Sequence, residues 1–265
     1  MNIHSLAAVI LLLYCGNAVG DPLAEASEAF AAKNYADAYQ RYSSIENDKT
    51  GEACYYRGVM NQQGWGKIAD IPAAAKFYQC AVALGHSRAM HNLAGLYHRG
   101  SGVTQDLAMA RELYTRAANQ GSAKSAHRLG LIFFQGDGVE RDFVRARQWW
   151  QQAFEGGEAD SGYNLGILFK RGLGTPPDAD NALEIWRTAA RRGSGHAQNA
   201  YGSALMNGDG IAADPVAAYA WFRAAAGSGI SVAQINAELI WQALGPEAQE
   251  QALQRADSIQ RELAQ

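Results

Sequence analysis

Apolar and small residues recur along this chain at one fixed stride. Gly64, Gly100, Gly136, Gly172 and Gly208 stand 36 residues apart, and Gly66, Gly102, Gly138, Gly174 and Gly210 keep the same step. Asp70, Asp106, Asp142, Asp178 and Asp214 follow, then Ala74, Ala110, Ala146, Ala182 and Ala218. Ala81, Ala117, Ala153, Ala189 and Ala225 come next, and Gly85, Gly121, Gly157, Gly193 and Gly229 close each unit. Ahead of the glycines, a small column (Ala53, Ala89, Ser125, Ser161, Ala197) precedes a large one (Leu93, Leu129, Leu165, Tyr201, with Arg57 as exception). A second small column (Gly58, Ala94, Gly130, Gly166, Gly202) and a second large one (Tyr97, Phe133, Phe169, Leu205, with Asn61 as exception) complete the set. Steps of four, one and three hold these columns on one face of a helix.

The Gly-x-Gly ends that helix, because glycine enters the left-handed conformation that other residues avoid. The aspartate then stands where an N-cap belongs, ready to accept from the free amides of a second helix. Between its two alanines the second helix carries a large pair: Phe77-Tyr78, Leu113-Tyr114, Trp149-Trp150, Ile185-Trp186 and Trp221-Phe222. This stripe is read as core packing. Five helical hairpins are therefore expected, at 51–86, 87–122, 123–158, 159–194 and 195–229. Stepping back from Ala74 and Tyr78 lands on Ala38 and Tyr42, so residues 21–50 are expected to hold a degenerate helix pair at 24–32 and 35–47. Residues 230–265 are expected to form two closing helices, 232–244 and 247–263, parted by Gly245-Pro246. Atypical ends cover the apolar faces that a stack leaves open.

Composition fits this picture. Of 265 residues, 48% are hydrophobic and 18% charged, with net charge −3, which suits a packed core and excludes a disordered chain. A near-neutral balance gives no support for nucleic acid as the main partner. The first 20 residues carry the layout of a secretory signal peptide: a short apolar run from Leu6 to Leu13, then small residues ahead of a cut before Asp21. The start of the chain lacks the usual Lys or Arg, and a lipoprotein cut before Cys15 would place bulky Tyr14 where a small residue belongs, so soluble export to the periplasm is preferred over lipid anchoring or a retained segment.

The run Leu129-Gly130, Phe133, Gly136-Asp137-Gly138-Val139, Asp142, Ala146, Trp149-Trp150, Ala153 and Gly157 resembles the Sel1-like repeat, a relative of the tetratricopeptide repeat, and the likeness extends from Gly51 to about Ala237. Arg57, Asn61 and the Pro176-Pro177 loop depart from the pattern. The resemblance implies an all-α, right-handed α/α solenoid of five 36-residue repeats with degenerate capping helix pairs at both ends. It also implies protein binding and no enzymatic activity. Small exported members include envelope regulators, assembly factors and immunity proteins against secreted toxins.

Helix-one residues opposite the packing face would line an inner groove. They form three rows: Tyr55, His91, His127, Tyr163 and Asn199; Val59, Gly95, Leu131, Ile167 and Ser203; and Gln62, His98, Phe134, Lys170 and Met206. Leu131, Phe134, Tyr163 and Ile167 would give a central apolar, aromatic patch suited to a binding hot spot. Arg88, Arg99, Lys124, Lys170 and Arg171 outnumber Glu52 and Asp160 around it, so an acidic partner surface is expected. A solvated face with no partner is the alternative. Cys54 lies ten residues before Gly64 and Cys80 ten after Asp70, so an antiparallel hairpin sets them at similar height and a disulfide is expected, with two free thiols as the alternative.

Catalytic signals are missing. The Gly-x-Gly turns join helices and cradle no phosphate, and neither Gly-x-Ser-x-Gly nor His-Glu-x-x-His occurs. His91 and His127 would sit on stacked helices about 8–10 Å apart, so no metal and no cofactor are expected. The function expected is that of a monomeric periplasmic module that binds one protein as scaffold or regulator. An immunity protein that blocks a secreted toxic effector, such as a phospholipase, is the alternative, and an enzyme a remote one.

Overall fold

The computed structural model describes residues Asp21–Ala264, so the export signal expected at residues 1–20 lies outside the described residues. Those residues form fourteen helices and no strand. They gather into two compact units, one ending at Leu84 and the other beginning at Gly85.

The first unit contains α1 (Pro22–Ala31), α2 (Tyr35–Ser44), α3 (Glu52–Gln63) and α4 (Ile71–Ala83). Helix α1 starts earlier than expected because the Asp21 carboxylate accepts from the Leu23 amide at 3.0 Å and Pro22 favours the first helical position. Helix α2 stops at Ser44, where Ile45 turns extended. Tyr42 stacks on Tyr56 with centroids 5.0 Å apart, and Tyr35 stacks on Trp65 at 4.9 Å. The two polar departures of repeat one are absorbed locally. Arg57 lays its guanidinium 4.1 Å from the centre of the Phe77 ring. Buried Asn61 donates to the Arg57 carbonyl and accepts from Lys67 Nζ, each at 2.7 Å. A disulfide joins Cys54 and Cys80 with Cα atoms 6.0 Å apart, tying α3 to α4. Closing a 26-residue separation stabilises the unit by about 3 kcal/mol on the chain-entropy account.

The second unit holds four hairpins: α5 (Ser87–Arg99) with α6 (Leu107–Asn119), α7 (Ala123–Gln135) with α8 (Phe143–Glu155), α9 (Ala159–Arg171) with α10 (Ala179–Arg191), and α11 (Gly195–Asn207) with α12 (Pro215–Gly227). Helices α13 (Ser231–Ala243) and α14 (Pro246–Leu263) both pack on α12. The repeat-three turn illustrates all of them. Gly136 (φ 78°) and Gly138 (φ 67°) take the left-handed conformation. Asp142 then donates its amide to the Phe133 carbonyl, and its carboxylate accepts from the Arg145 amide, both at 2.9 Å. The same double role recurs at Asp106, Asp178 and Asp214.

The second member of each large pair on helix two is buried (Tyr114, Trp150, Trp186 and Phe222), and Leu113 and Trp221 are buried beside it in two repeats. Glycine on helix one makes room for three of them. A Cβ on Gly130 or Gly166 would fall inside the indole of Trp150 or Trp186, and one on Gly202 would come within 3.1 Å of the Phe222 ring. The packing face is also wider than expected, since Leu96, Ile132, Leu168 and Ala204 form a further buried column.

Replacing Gly166 by Ala is expected to lower unfolding free energy by about 3 kcal/mol, because the indole must shift and strain its packing. Gly193→Ala, with nothing within 4 Å but φ at 91°, is expected to cost about 1 kcal/mol from backbone strain. Urea denaturation compares the two. Equal losses would show that the indole is not confined by Gly166.

Candidate partner-binding surface

In the second unit, the first row is His91 on α5, His127 on α7, Tyr163 on α9 and Asn199 on α11, all half-buried. Its backbone is fixed from behind. Trp150 Nε1 donates to the His127 carbonyl at 3.2 Å, and Trp186 Nε1 donates to the Tyr163 carbonyl at 3.0 Å. Side chains of the row reach sideways into the next repeat. His91 Nδ1 meets Ser125 Oγ at 2.9 Å, and His127 Nδ1 meets Ser161 Oγ at 2.7 Å. Tyr163 stacks on His196 with centroids 5.2 Å apart.

Burial pushes the His91 imidazole down to about 4, and the charges of Arg128 and Lys124 add to the effect. His127 is lowered by burial and by Arg128, against an opposing contribution from Asp160. Near neutral pH the His91 ring is therefore neutral and serves as a hydrogen-bonding spacer between repeats.

Leu131 and Ile167 of the second row are half-buried, with part of each side chain packed on the core and part facing out. Phe134 lies 5.3 Å from the Trp150 ring and 5.5 Å from Phe143. Two third-row residues, His98 and Lys170, meet carboxylates of the next repeat. His98 Nε2 stands 2.6 Å from Asp137 Oδ2, and Lys170 Nζ lies 3.3 Å from Asp209 Oδ2 and 5.5 Å from the centre of the Trp186 ring. These contacts correct the charge balance read from the sequence. Asp137 and Asp209 sit in turns outside the helical rows, yet the stacking of repeats brings them onto the face. Arg99 and Arg171 are exposed. Tyr55 belongs to the first unit, where its ring lies 5.2 Å from Tyr56 and 6.2 Å from Tyr78.

Two further features lay outside the three rows. A cleft of about 400 Å³ opens between the second and third repeats, lined by His98, Arg99, Tyr114, Arg128, Leu131 and Asp137 among others. Arg128 follows a row position by one residue and Tyr114 belongs to the core stripe, so helical spacing points to neither. The rows also continue past repeat five. Adding 36 to Asn199 and Ser203 gives Ile235 and Leu239 on α13, which are 60% and 61% exposed. That signal was present in the sequence. Among the described residues no group of three or more His, Cys, Asp or Glu side chains is placed to hold a metal, and no helix is long and apolar enough to cross a membrane.

Hairpins of identical length, locked by buried rings and presenting rows of helix-one side chains, define an α/α solenoid of the protein-interaction type. The Sel1 repeat matches residues 51–86, 87–122, 123–158, 159–194 and 195–230, and the chain belongs to that family. No curated protein matches it. Among solved structures it is similar to a Sel1 repeat protein from Oxalobacter formigenes, with 26% identity and a TM-score of 0.80 over 91% of this chain and 98% of that one. A protective antigen of uropathogenic Escherichia coli shares the fold at 22% identity and TM-score 0.56, over 92% of this chain and 68% of that one. An immunity protein of Pseudomonas aeruginosa does so at 18% identity and TM-score 0.50, over 83% and 85%.

His91 titrates near 4 in the folded chain, against 6.5 for an ordinary imidazole. As pH falls, the unfolded chain therefore takes up the proton first. Stability is full above pH 6.5 and is lost as pH falls toward 4, by up to about 2 kcal/mol once solvent screening is allowed for. His91→Gln should flatten that slope in denaturation curves recorded across the interval. An unchanged slope would refute the assignment to His91.

Proposed function

We propose that this protein is a periplasmic binding module that holds one partner protein on the helix-one face of its second unit, as scaffold or regulator of an envelope process. The observation that carries the proposal is the preorganised strip formed by Leu131, Phe134, Tyr163 and Ile167. These side chains are half-exposed and large, and they stand on helices whose positions are set by Trp150 and Trp186. Rigid aromatic and aliphatic anchors with polar neighbours lose little entropy on binding, and such residues carry most interface energy. Membership of the Sel1 repeat family supports protein binding as the class of activity. Export is supported by the apolar run at Leu6 to Leu13 with small residues ahead of Asp21. The Cys54–Cys80 bond suits an oxidising compartment.

The test is capture from envelope extract by the intact chain and by Ile167→Glu. The variant places an unpaired carboxylate on the strip while leaving the buried indoles untouched. Capture should fall at least about tenfold, with the melting temperature lowered by only a few degrees. Undiminished capture by Ile167→Glu would remove the strip from the binding site. Recovery of an exported toxic enzyme as the captured protein would replace the scaffold assignment with that of an immunity protein.

A further inference from the structure

Beside the cleft between repeats two and three, helix one lacks a side chain. Row two carries Val59, Leu131, Ile167 and Ser203 in four repeats, but Gly95 in the second. A methyl group placed on Gly95 would lie 3.2 Å from Arg99 Nη1 and 3.5 Å from the Tyr114 hydroxyl. The Arg99 guanidinium thus folds back over the bare helix beside a phenol whose residue is only 4% exposed. Arg128 lines the same space from the next repeat. Neither Arg99 nor Arg128 makes an ion pair or hydrogen bond among the described residues. This sets them apart from their neighbours, since the His98 imidazole is closed against Asp137 and, further along the face, Lys170 against Asp209.

Resting on the protein-binding reading above, we infer that this cleft is a carboxylate site, in which Arg99, Arg128 and the Tyr114 hydroxyl receive one acidic group of the partner. Guanidinium forks match a planar carboxylate, and two such forks with a hydroxyl supply more donors than one carboxylate needs. Leu131 offers an apolar wall for the methylenes of a glutamate or the last side chain of a chain terminus. Asp137 at the rim weighs against a doubly charged phosphate, which would meet its carboxylate. The charge of Arg128 also reaches His91, His127 and Tyr114, so its field extends across the whole of this part of the face.

The experiment titrates the full chain with four probes and follows the guanidinium Nε–Hε resonances of Arg99 and Arg128. One probe is an N-acetylated, C-amidated peptide with a single glutamate. A second is the same peptide with glutamine. A third is the glutamine peptide with a free C-terminal carboxylate, and the fourth is inorganic phosphate. Saturable shifts of both arginines with the glutamate peptide, the free-carboxylate peptide or both are expected, and the better binder identifies a side-chain or a terminal carboxylate as the natural group. Arg99→Gln and Arg128→Gln, both at exposed positions, should each weaken that probe about tenfold, and Gly95→Val should abolish binding by displacing the Arg99 guanidinium from beside Tyr114. Binding of the fully neutral peptide as tight as that of the better carboxylate peptide, tighter binding of phosphate, no saturable shift with any probe, or unaltered affinity in Arg128→Gln would each overturn the inference. If Arg128→Gln binds the probe as the unchanged chain does while Ile167→Glu still loses the captured protein, the carboxylate site fails and the protein-binding reading stands. If the probe binds as expected while Ile167→Glu captures normally, the strip fails and the carboxylate site stands.

Discussion

The closeness with which the two helices of a hairpin approach each other governs the rest of this structure. In repeats three and four an indole occupies the volume that a side chain on Gly130 or Gly166 would need, so the ring lies against bare backbone. From there its Nε1 reaches the carbonyl of His127 or Tyr163. A buried Trp removes roughly 150–250 Å² of surface from water, so no alternative packing of comparable quality is open to the hairpin. The same bond fixes the outward face, because the carbonyl it holds belongs to a residue of the first row. Core and surface are therefore one construction: the ring that fills the interior also sets the backbone of the helix-one rows proposed to meet a partner.

What could be read from the chain alone follows from which roles are carried by single residues. A glycine at positive φ and an aspartate three residues before the amide it caps are local relations, and each was visible as a column. The fixed stride then multiplied a weak local signal into a firm one. The ends were less legible because each depends on one local accident, such as the Asp21 cap that begins α1 at Pro22. The buried column of Leu96, Ile132 and Leu168 is hard to read from the chain because two small columns and two large ones already account for one helix face.

The candidate face was legible in its apolar half and opaque in its polar half. Leu131, Phe134, Tyr163 and Ile167 could be placed on a face from helical spacing. The contacts of His91 with Ser125, His98 with Asp137 and Lys170 with Asp209 span 34 to 39 residues, and only the stacking of one repeat on the next brings them together. The cleft is harder still to foresee, since it joins Arg99, which folds back over Gly95, to Arg128 on the following repeat. Ile235 and Leu239 form the opposite case, because the stride itself points to them once it is carried past repeat five.

Charge on this face is of two kinds, and the difference bears on where a partner can sit. His98 and Lys170 each have a carboxylate at hand, so a partner that covered them would have to desolvate a closed pair, and it would gain little because such half-exposed pairs are nearly balanced against water. Phe134 lies between them in the same row, with no charge of its own. The third row thus alternates pair, ring, pair, and the favourable ground for contact narrows to Phe134 with the adjoining Leu131 and Ile167. Arg99 and Arg128 stand at one edge of that ground without a carboxylate. An acidic group there would be recognised by the only cations in the cleft whose donors are still open. The apolar strip would then supply most of the affinity, and the cleft would set the register in which the partner lies along it.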